Sequence, residues 1–208
     1  RPATIHLGPD CRILLCSTGE LRVEITPTDI PDVLVITPRR FGDARGWFSE
    51  TWNASRFGEA VFALDFVQDN HSFSAEVGTL RGLHYQSPPR AQDKLVRCTR
   101  GVIMDVAVDV RKGSPTYGQW VREELSSENG KQLLVPKGFL HGFVTCAPDT
   151  EVQYKVTDHY APECDGSVRW DSLNIDWGVA TAPELSDKDA QAVSFEDWES
   201  PFNYEKTI

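Results

Sequence analysis

The most regular pattern along the chain is GVIMDVAVDVRKGSP, residues 101–115. Val102, Met104, Val106, Val108 and Val110 alternate there with Ile103, Asp105, Ala107, Asp109 and Arg111. A period of two predicts a strand with one strongly apolar face, and KGSP supplies the turn after it. DVLVIT (32–37) reads as a compact Val/Ile strand, and EVQYKVT (151–157) as another extended run. QLLVPKGFLHGFVTC (132–146) reads as strand, Pro-Gly turn, strand. GWFSETWN (46–53), if extended, puts Phe48 and Glu50 on one side. Helical signals are few: NASRFGEAVF (53–62), and SDKDAQAV (186–193) with Ser186 as N-cap. Residues 1–24 fit neither period and read as an appended segment or a peripheral strand. The 13 prolines and 15 glycines are spread along the chain, and no repeat is visible. Short strands broken by Gly/Pro turns predict an all-β sandwich, jelly roll or closed barrel.

A length of 208 residues suits one large β domain with a substantial core. The net charge of −10 argues against nucleic acid as a partner, which needs a clustered basic face, but leaves room for a local cationic pocket that holds a small anion. The five cysteines, Cys11, Cys16, Cys98, Cys146 and Cys164, are odd in number and scattered without a C-x-x-C. That favours reduced thiols and a cytoplasmic location over a disulfide framework or a zinc site. No apolar run approaches the ~20 residues of a membrane span, and no secretory signal pattern is visible at the start.

Three segments put polar residues where a sandwich expects apolar ones: FVQDNHSFS (66–74), TLRGLHYQ (79–86) and PKGFLHGF (136–143). In the last, a turn made by Pro136 and Gly138 feeds a strand whose His141 can face inward, an arrangement similar to that of cupin-type barrels. A metal-binding cupin also needs a His-x-His pair, and here position 84 is His but position 86 is Gln. His84 and His141 alone are too few ligands for a stable transition-metal centre, so no metal is expected. Histidines in such a pocket are free to move protons. Taken singly, each of these residues also has a structural explanation, such as a hydrogen-bonded core histidine or a solvated surface charge.

FGDARGWFSETWN, FVQDNHSFS, TLRGLHYQ, KLVRC, DVAVDVRKGSPTYGQW, PKGFLHGFV, YKVTDHYAPECDGSVRW and LSDKDA occur in that order. Together they resemble the dTDP-4-dehydrorhamnose 3,5-epimerase family over about residues 29–192. The resemblance implies an all-β, cupin-like jelly roll (a double-stranded β-helix) with a few short peripheral helices. It implies a domain over 29–192, flanked by an N-terminal extension or peripheral strand (1–28) and a C-terminal tail (193–208). It further implies a homodimer that works without a cofactor, to which the composition adds a cytoplasmic location and no nucleic-acid or membrane partner. The substrate would be dTDP-4-dehydro-6-deoxyglucose, inverted at C3 and C5.

By the same resemblance His84 is the base, a natural choice because an unperturbed imidazole titrates at ~6.5. Tyr154 matches the acid on the opposite face, a phenol that keeps its proton up to a pKa of ~10. Lys94 matches the cation near the C4 oxygen, where enolate charge develops, and Asp189 the carboxylate that orients the base. Arg45 and Arg81 match contacts to the nucleotide diphosphate, as suits planar bidentate donors. Lys188, Gln68, Asn70 and Glu50 match further nucleotide contacts, Tyr160 the aromatic that stacks on thymine, and His141 a polar residue near the sugar. Asp165 stands where the family often has Glu, and His159 where many members have Tyr. His71 has no assigned role and is expected to bond within its own loop. The alternatives are a C3-only or C5-only epimerase, a metal-dependent cupin enzyme and a non-catalytic carbohydrate-binding jelly roll.

Overall fold

In the computed structural model, the described residues are 13–14, 23–55, 57 and 64–205. Their strands, in chain order, are β1 (Ile13–Leu14), β2 (Val23–Pro27), β3 (Leu34–Pro38), β4 (Phe41–Asp43), β5 (Gly46–Phe48), β6 (Gln68–Ser74), β7 (Leu80–Gln86), β8 (Lys94–Arg100), β9 (Val102–Asp109), β10 (Trp120–Ser126), β11 (Gln132–Val135), β12 (Phe139–Thr145), β13 (Thr150–Val156) and β14 (Asp165–Ser167). One sheet has seven strands in the order β1-β2-β3-β11-β8-β13-β6, and the other five in the order β10-β9-β12-β7-β14. Every pairing within them is antiparallel. β4 and β5 form a separate hairpin. This is the expected all-β jelly roll.

The core explains the sequence pattern and corrects it at one point. Alternate residues of both sheets meet between them: Val96, Cys98 and Val152 from the larger sheet, Ile103, Ala107, Phe139 and Phe143 from the smaller. The other face of the larger sheet is not bare. Ile25, Leu34, Ile36 and Leu95 pack there against Trp52, Phe57 and Phe66. Likewise Val106, Val108, Val110 and Leu140 are covered by Trp170, Trp177, Trp198 and Phe202. β9 is therefore buried on both faces, its strongly apolar face being the outer one, because the chain after residue 168 folds back over that side. That covering is tied down by backbone bonds from Lys112 N to Phe202 O (3.0 Å) and from Tyr204 N to Lys112 O (2.9 Å).

Two expected elements are shorter than their patterns suggested. β5 ends at Phe48, so Glu50 does not continue a strand beside it. The second predicted helix is a single turn, Asp187–Ala190, whose Ser186 side chain accepts a bond from Asp189 N as the expected N-cap. Residues 54, 55 and 57 are helical, while 56 and 58–62 of that predicted helix lie outside the described residues, as do 1–12 and 15–22 of the N-terminal segment. Ile13–Leu14 pairs with β2 at the edge of the larger sheet. Among the described residues, no helix is long and apolar enough to cross a membrane.

Candidate active site

A cavity of about 540 Å³ opens between the sheets, and its lining draws on both of them. Ser72 (β6), Lys94 (β8) and Tyr154 (β13) come from the larger sheet; Arg81 and His84 (β7) and His141 (β12) come from the smaller. Asp189 and Lys188, on the helical turn after Ser186, close one side. His84 and Tyr154 therefore stand on facing walls of one space.

Arg81 and His84 are three positions apart, which in a regular strand would send them to opposite faces. Both nevertheless line the cavity. The reason is a β-bulge: His84 pairs with His141 and Arg81 with Phe143, so β7 spends one residue more than β12 over the same span. Gly82 makes this possible. Its φ is +133°, and a Cβ there would lie 2.6 Å from Gly142 Cα and 2.9 Å from His141 O, closer than any side chain permits.

The bulge also builds the histidine's support. Gly82 N donates to Asp189 Oδ2 at 3.4 Å, and Asp189 Oδ1 takes the bond from His84 Nε2 at 2.6 Å. Asp189 is only 2% exposed. Burial opposes its ionisation, but bonds from His84, Gly82 N–H and Ser186, with the charge of His84, together hold its carboxyl below the usual range. With Nε2 donating to a carboxylate, the lone pair sits on Nδ1. That is the nitrogen available to take a proton from carbon.

The groups opposite are tuned by burial. Lys94 has its pKa pushed down to about 8, chiefly by burial, with Asp105 and Asp165 opposing and Lys188 adding to the fall. Burial raises the Tyr154 phenol above its ordinary value, Asp165 adds to the rise, and Arg81 counters it. Tyr154 thus keeps its proton until a strong base is created beside it. His141 Nε2 bonds Asp105 Oδ1 at 2.7 Å, in a pair where Asp105 is fully buried. Burial depresses the His141 pKa despite Asp105, and Lys94 and His84 add to the effect. Asp105 was not singled out from the sequence. The signal was present, since an Asp inside an alternating Val strand is costly unless paired.

The remaining predicted contacts divide in two. Arg81, Lys188 and His141 line the cavity with the groups above. Arg81 is steadied by Ser74 Oγ (3.3 Å from Nε and from Nη2) and Phe73 O (3.1 Å). Asp165 and Tyr160 lie beside them: Lys188 Nζ bonds Asp165, and Tyr160 OH donates to Asp165 Oδ2 at 3.2 Å. Gln68 accepts from Tyr160 N at 3.0 Å and donates to Asn70 at 2.9 Å, so these three form one group. Asn70 faces a smaller recess of about 220 Å³ that also reaches Tyr154. Arg45 and Glu50 do not line the cavity of their own chain. Arg45 pairs with Asp43 of its own hairpin (2.6 Å), with its side chain 90% exposed.

Two polar residues do work that their positions in sequence did not reveal. Gln86 holds the loop carrying Tyr160: Nε2 donates to Arg90 O and to His159 O (3.0 Å), and Oε1 accepts from Ala161 N (2.9 Å). His71 points outward from β6 and bonds Glu151 on β13 at 3.0 Å, not its own loop. Among the described residues no group of three or more His, Cys, Asp and Glu side chains is arranged to hold a metal ion.

A jelly-roll cup that sets an aspartate-paired histidine against a buried phenol and an ammonium group defines a cupin-type isomerase, one that moves protons on carbon. A family model described as dTDP-4-dehydrorhamnose 3,5-epimerase matches residues 27–197. A Sinorhizobium fredii protein of that name is 52% identical over 179 residues, covering 85% of this chain and 92% of the relative. The Bacillus anthracis enzyme solved with TDP and PPi bound is 47% identical, with a TM-score of 0.80 and coverage of 83% and 99%. The Legionella pneumophila epimerase in complex with dTDP-4-keto-L-rhamnose is 42% identical, with a TM-score of 0.84 and coverage of 88% and 99%. The chain belongs to the dTDP-4-dehydrorhamnose 3,5-epimerase family.

Proposed function

We propose that this protein inverts C3 and C5 of dTDP-4-dehydro-6-deoxy-D-glucose, in the route to dTDP-L-rhamnose, by taking a proton from one face of the ring and returning one to the other. The observation that supports this most is the facing pair, His84 with Asp189 on one wall and Tyr154 on the other. A hydrogen on carbon beside the C4 ketone is weakly acidic. His84 Nδ1 takes it, the C–H electron pair moves into the enolate, and Asp189 stabilises the imidazolium. The charge on O4 falls to Lys94. Tyr154 then delivers a proton from the other side, and solvent returns it to the phenolate. Arg81 and Lys188 hold the diphosphate, His141 a polar group of the sugar, and Tyr160 stacks on the base with Gln68, Asn70 and Asp165 around it. The direct test is the substrate in heavy water: deuterium entering C3 and C5 with inversion supports the assignment, and binding without uptake leaves only a carbohydrate-binding module.

Lys94 gives this scheme a pH signature. Its ammonium is charged below about 8 and neutral above. If that charge carries the enolate, kcat declines as pH rises through about 8, while Tyr154, with its raised pKa, stays protonated. Lys94→Met should lose the alkaline limb and lower kcat by roughly 10²–10³-fold, with dTDP affinity little changed. A pH series of kcat for both forms, beside dTDP titrations, checks this. A loss confined to affinity counts against the role.

The reading extends to a homodimer. Arg45 sits outside the cavity of its own chain, on a hairpin that exposes Trp47 by 59% and Phe48 by 70%. Docking of this hairpin on a second copy would bury those rings and carry Arg45, with Glu50 just beyond it, to the partner's nucleotide site. Mixing and co-refolding Arg45→Ala with His84→Asn should then restore activity at about one quarter of the sites. Activity no higher than the sum of the separate variants argues against a shared site. The thiols of Cys98, Cys146 and Cys164 are free, in keeping with the cytoplasm as the compartment.

A further inference from the structure

β6 turns four polar side chains to one face, and the last two of them, Ser72 and Ser74, line the cavity. Gln68, Asn70, Ser72 and Ser74 are its inward set, while Asp69, His71 and Phe73 face out. Three of the four have partners in the protein: Gln68 bonds Asn70, and Ser74 accepts from Arg81. Ser72 does not. Its Oγ is buried and finds no hydrogen-bond partner among the described residues, although Ser72 lines the cavity with His84, Lys94 and Tyr154. A buried hydroxyl left unpaired costs stability, and such groups in a binding site are commonly satisfied by what binds there.

Register says which part of a ligand this hydroxyl meets. Ser72 pairs with Val152, Asn70 with Tyr154 and Ser74 with Thr150. Tyr154 is thus the diagonal neighbour of Ser72 on the inner face, ~7–8 Å away between Cα atoms. On its other side, two residues along, Ser74 anchors Arg81. Ser72 therefore lies between the phenol and the guanidinium. In the assigned substrate the diphosphate hangs from C1, and both reacting carbons lie one ring atom away, C3 across C2 and C5 across the ring oxygen. Of these two linking atoms only C2 carries a free hydroxyl, one of the two on the 4-keto-6-deoxy ring, and a hydroxyl can both donate to and accept from a serine.

We propose that Ser72 is a specificity-determining residue whose hydroxyl binds the C2 hydroxyl of the hexose, so that the site selects 2-hydroxy over 2-deoxy sugars. This rests on the assignment of a dTDP-linked 4-keto sugar to the cavity. The contact is a neutral one made in ground and transition states alike. Its loss reads as a change in kcat/KM of roughly three- to twentyfold, without the collapse that follows removal of a proton-transfer group.

The test compares Ser72→Ala with the unaltered protein on dTDP-4-keto-6-deoxyglucose and on its 2-deoxy analogue, with deuterium uptake at C5 as the readout. The unaltered protein should prefer the 2-hydroxy substrate. Ser72→Ala should lower kcat/KM on it by about tenfold and leave the 2-deoxy analogue unchanged within about twofold. Ser72→Cys, which keeps the volume but has a weak donor, should show the same pattern. The Tm of the ligand-free Ser72→Ala protein should not fall, since the change removes an unpaired buried hydroxyl. Equal losses on both sugars, no loss on either, or a marked fall in Tm overturns the role. Absence of uptake by the unaltered protein on both sugars instead overturns the assigned reaction, a distinguishable failure.

Discussion

Replacing His84 with asparagine should abolish deuterium uptake at both C3 and C5, with a loss of at least about 10³-fold. The side chain keeps a polar group near Asp189 but has no lone pair of comparable basicity. Its neighbours are not substitutes. His141 has Nε2 bonded to fully buried Asp105 and its basicity depressed by burial. Lys94 is charged below about 8 and so has no free pair at neutral pH. Loss of both exchange signals together is the diagnostic result, because one base then serves both carbons. Retention of exchange at one carbon assigns a second base to it. Titration of dTDP should be unchanged, which separates lost chemistry from lost binding.

The second large effect is expected from Tyr154→Phe, and it should split two signals that His84 loses together. The base and its carboxylate stand on the other wall and are untouched. Proton removal continues, and the imidazolium can return solvent deuterium to the face it came from. Uptake should therefore persist within about tenfold, while net inversion falls by roughly 10²-fold or more. Stereochemical analysis of the labelled sugar reads both quantities in one experiment. An equal collapse of uptake and inversion would mean that Tyr154 acts earlier, in forming the enolate, and the two-wall scheme would fail.

How far the site could be read from the chain depends on how local each decision is. Ser186 as a cap was legible because a capping bond spans three residues and needs no partner from elsewhere. His84, Lys94, Tyr154 and Asp189 were legible as a set only through the ordered family motifs, since nothing in their spacing says that four distant segments meet. The side on which Arg81 and His84 emerge was not legible, because the bulge depends on the pairing of β7 with β12. Arg45 and Glu50 match the family's pattern as well as Arg81 does, yet the fold leaves them outside their own chain's cavity. Ser72 gave no signal, since its interest lies in a bond that it does not make.

The alternation of Val and polar residues, the Pro-Gly turns and the absence of long helical periods by themselves determined an all-β chain. These are short-range matters of backbone sterics and of side chains alternating across a strand. Only the tertiary structure decided that β9 is buried on both faces, that a bulge turns Arg81 and His84 into one cup, and that Tyr154 answers His84 from the opposite sheet. Those outcomes depend on contacts between residues far apart in sequence, where one position of register exchanges the two faces of a strand.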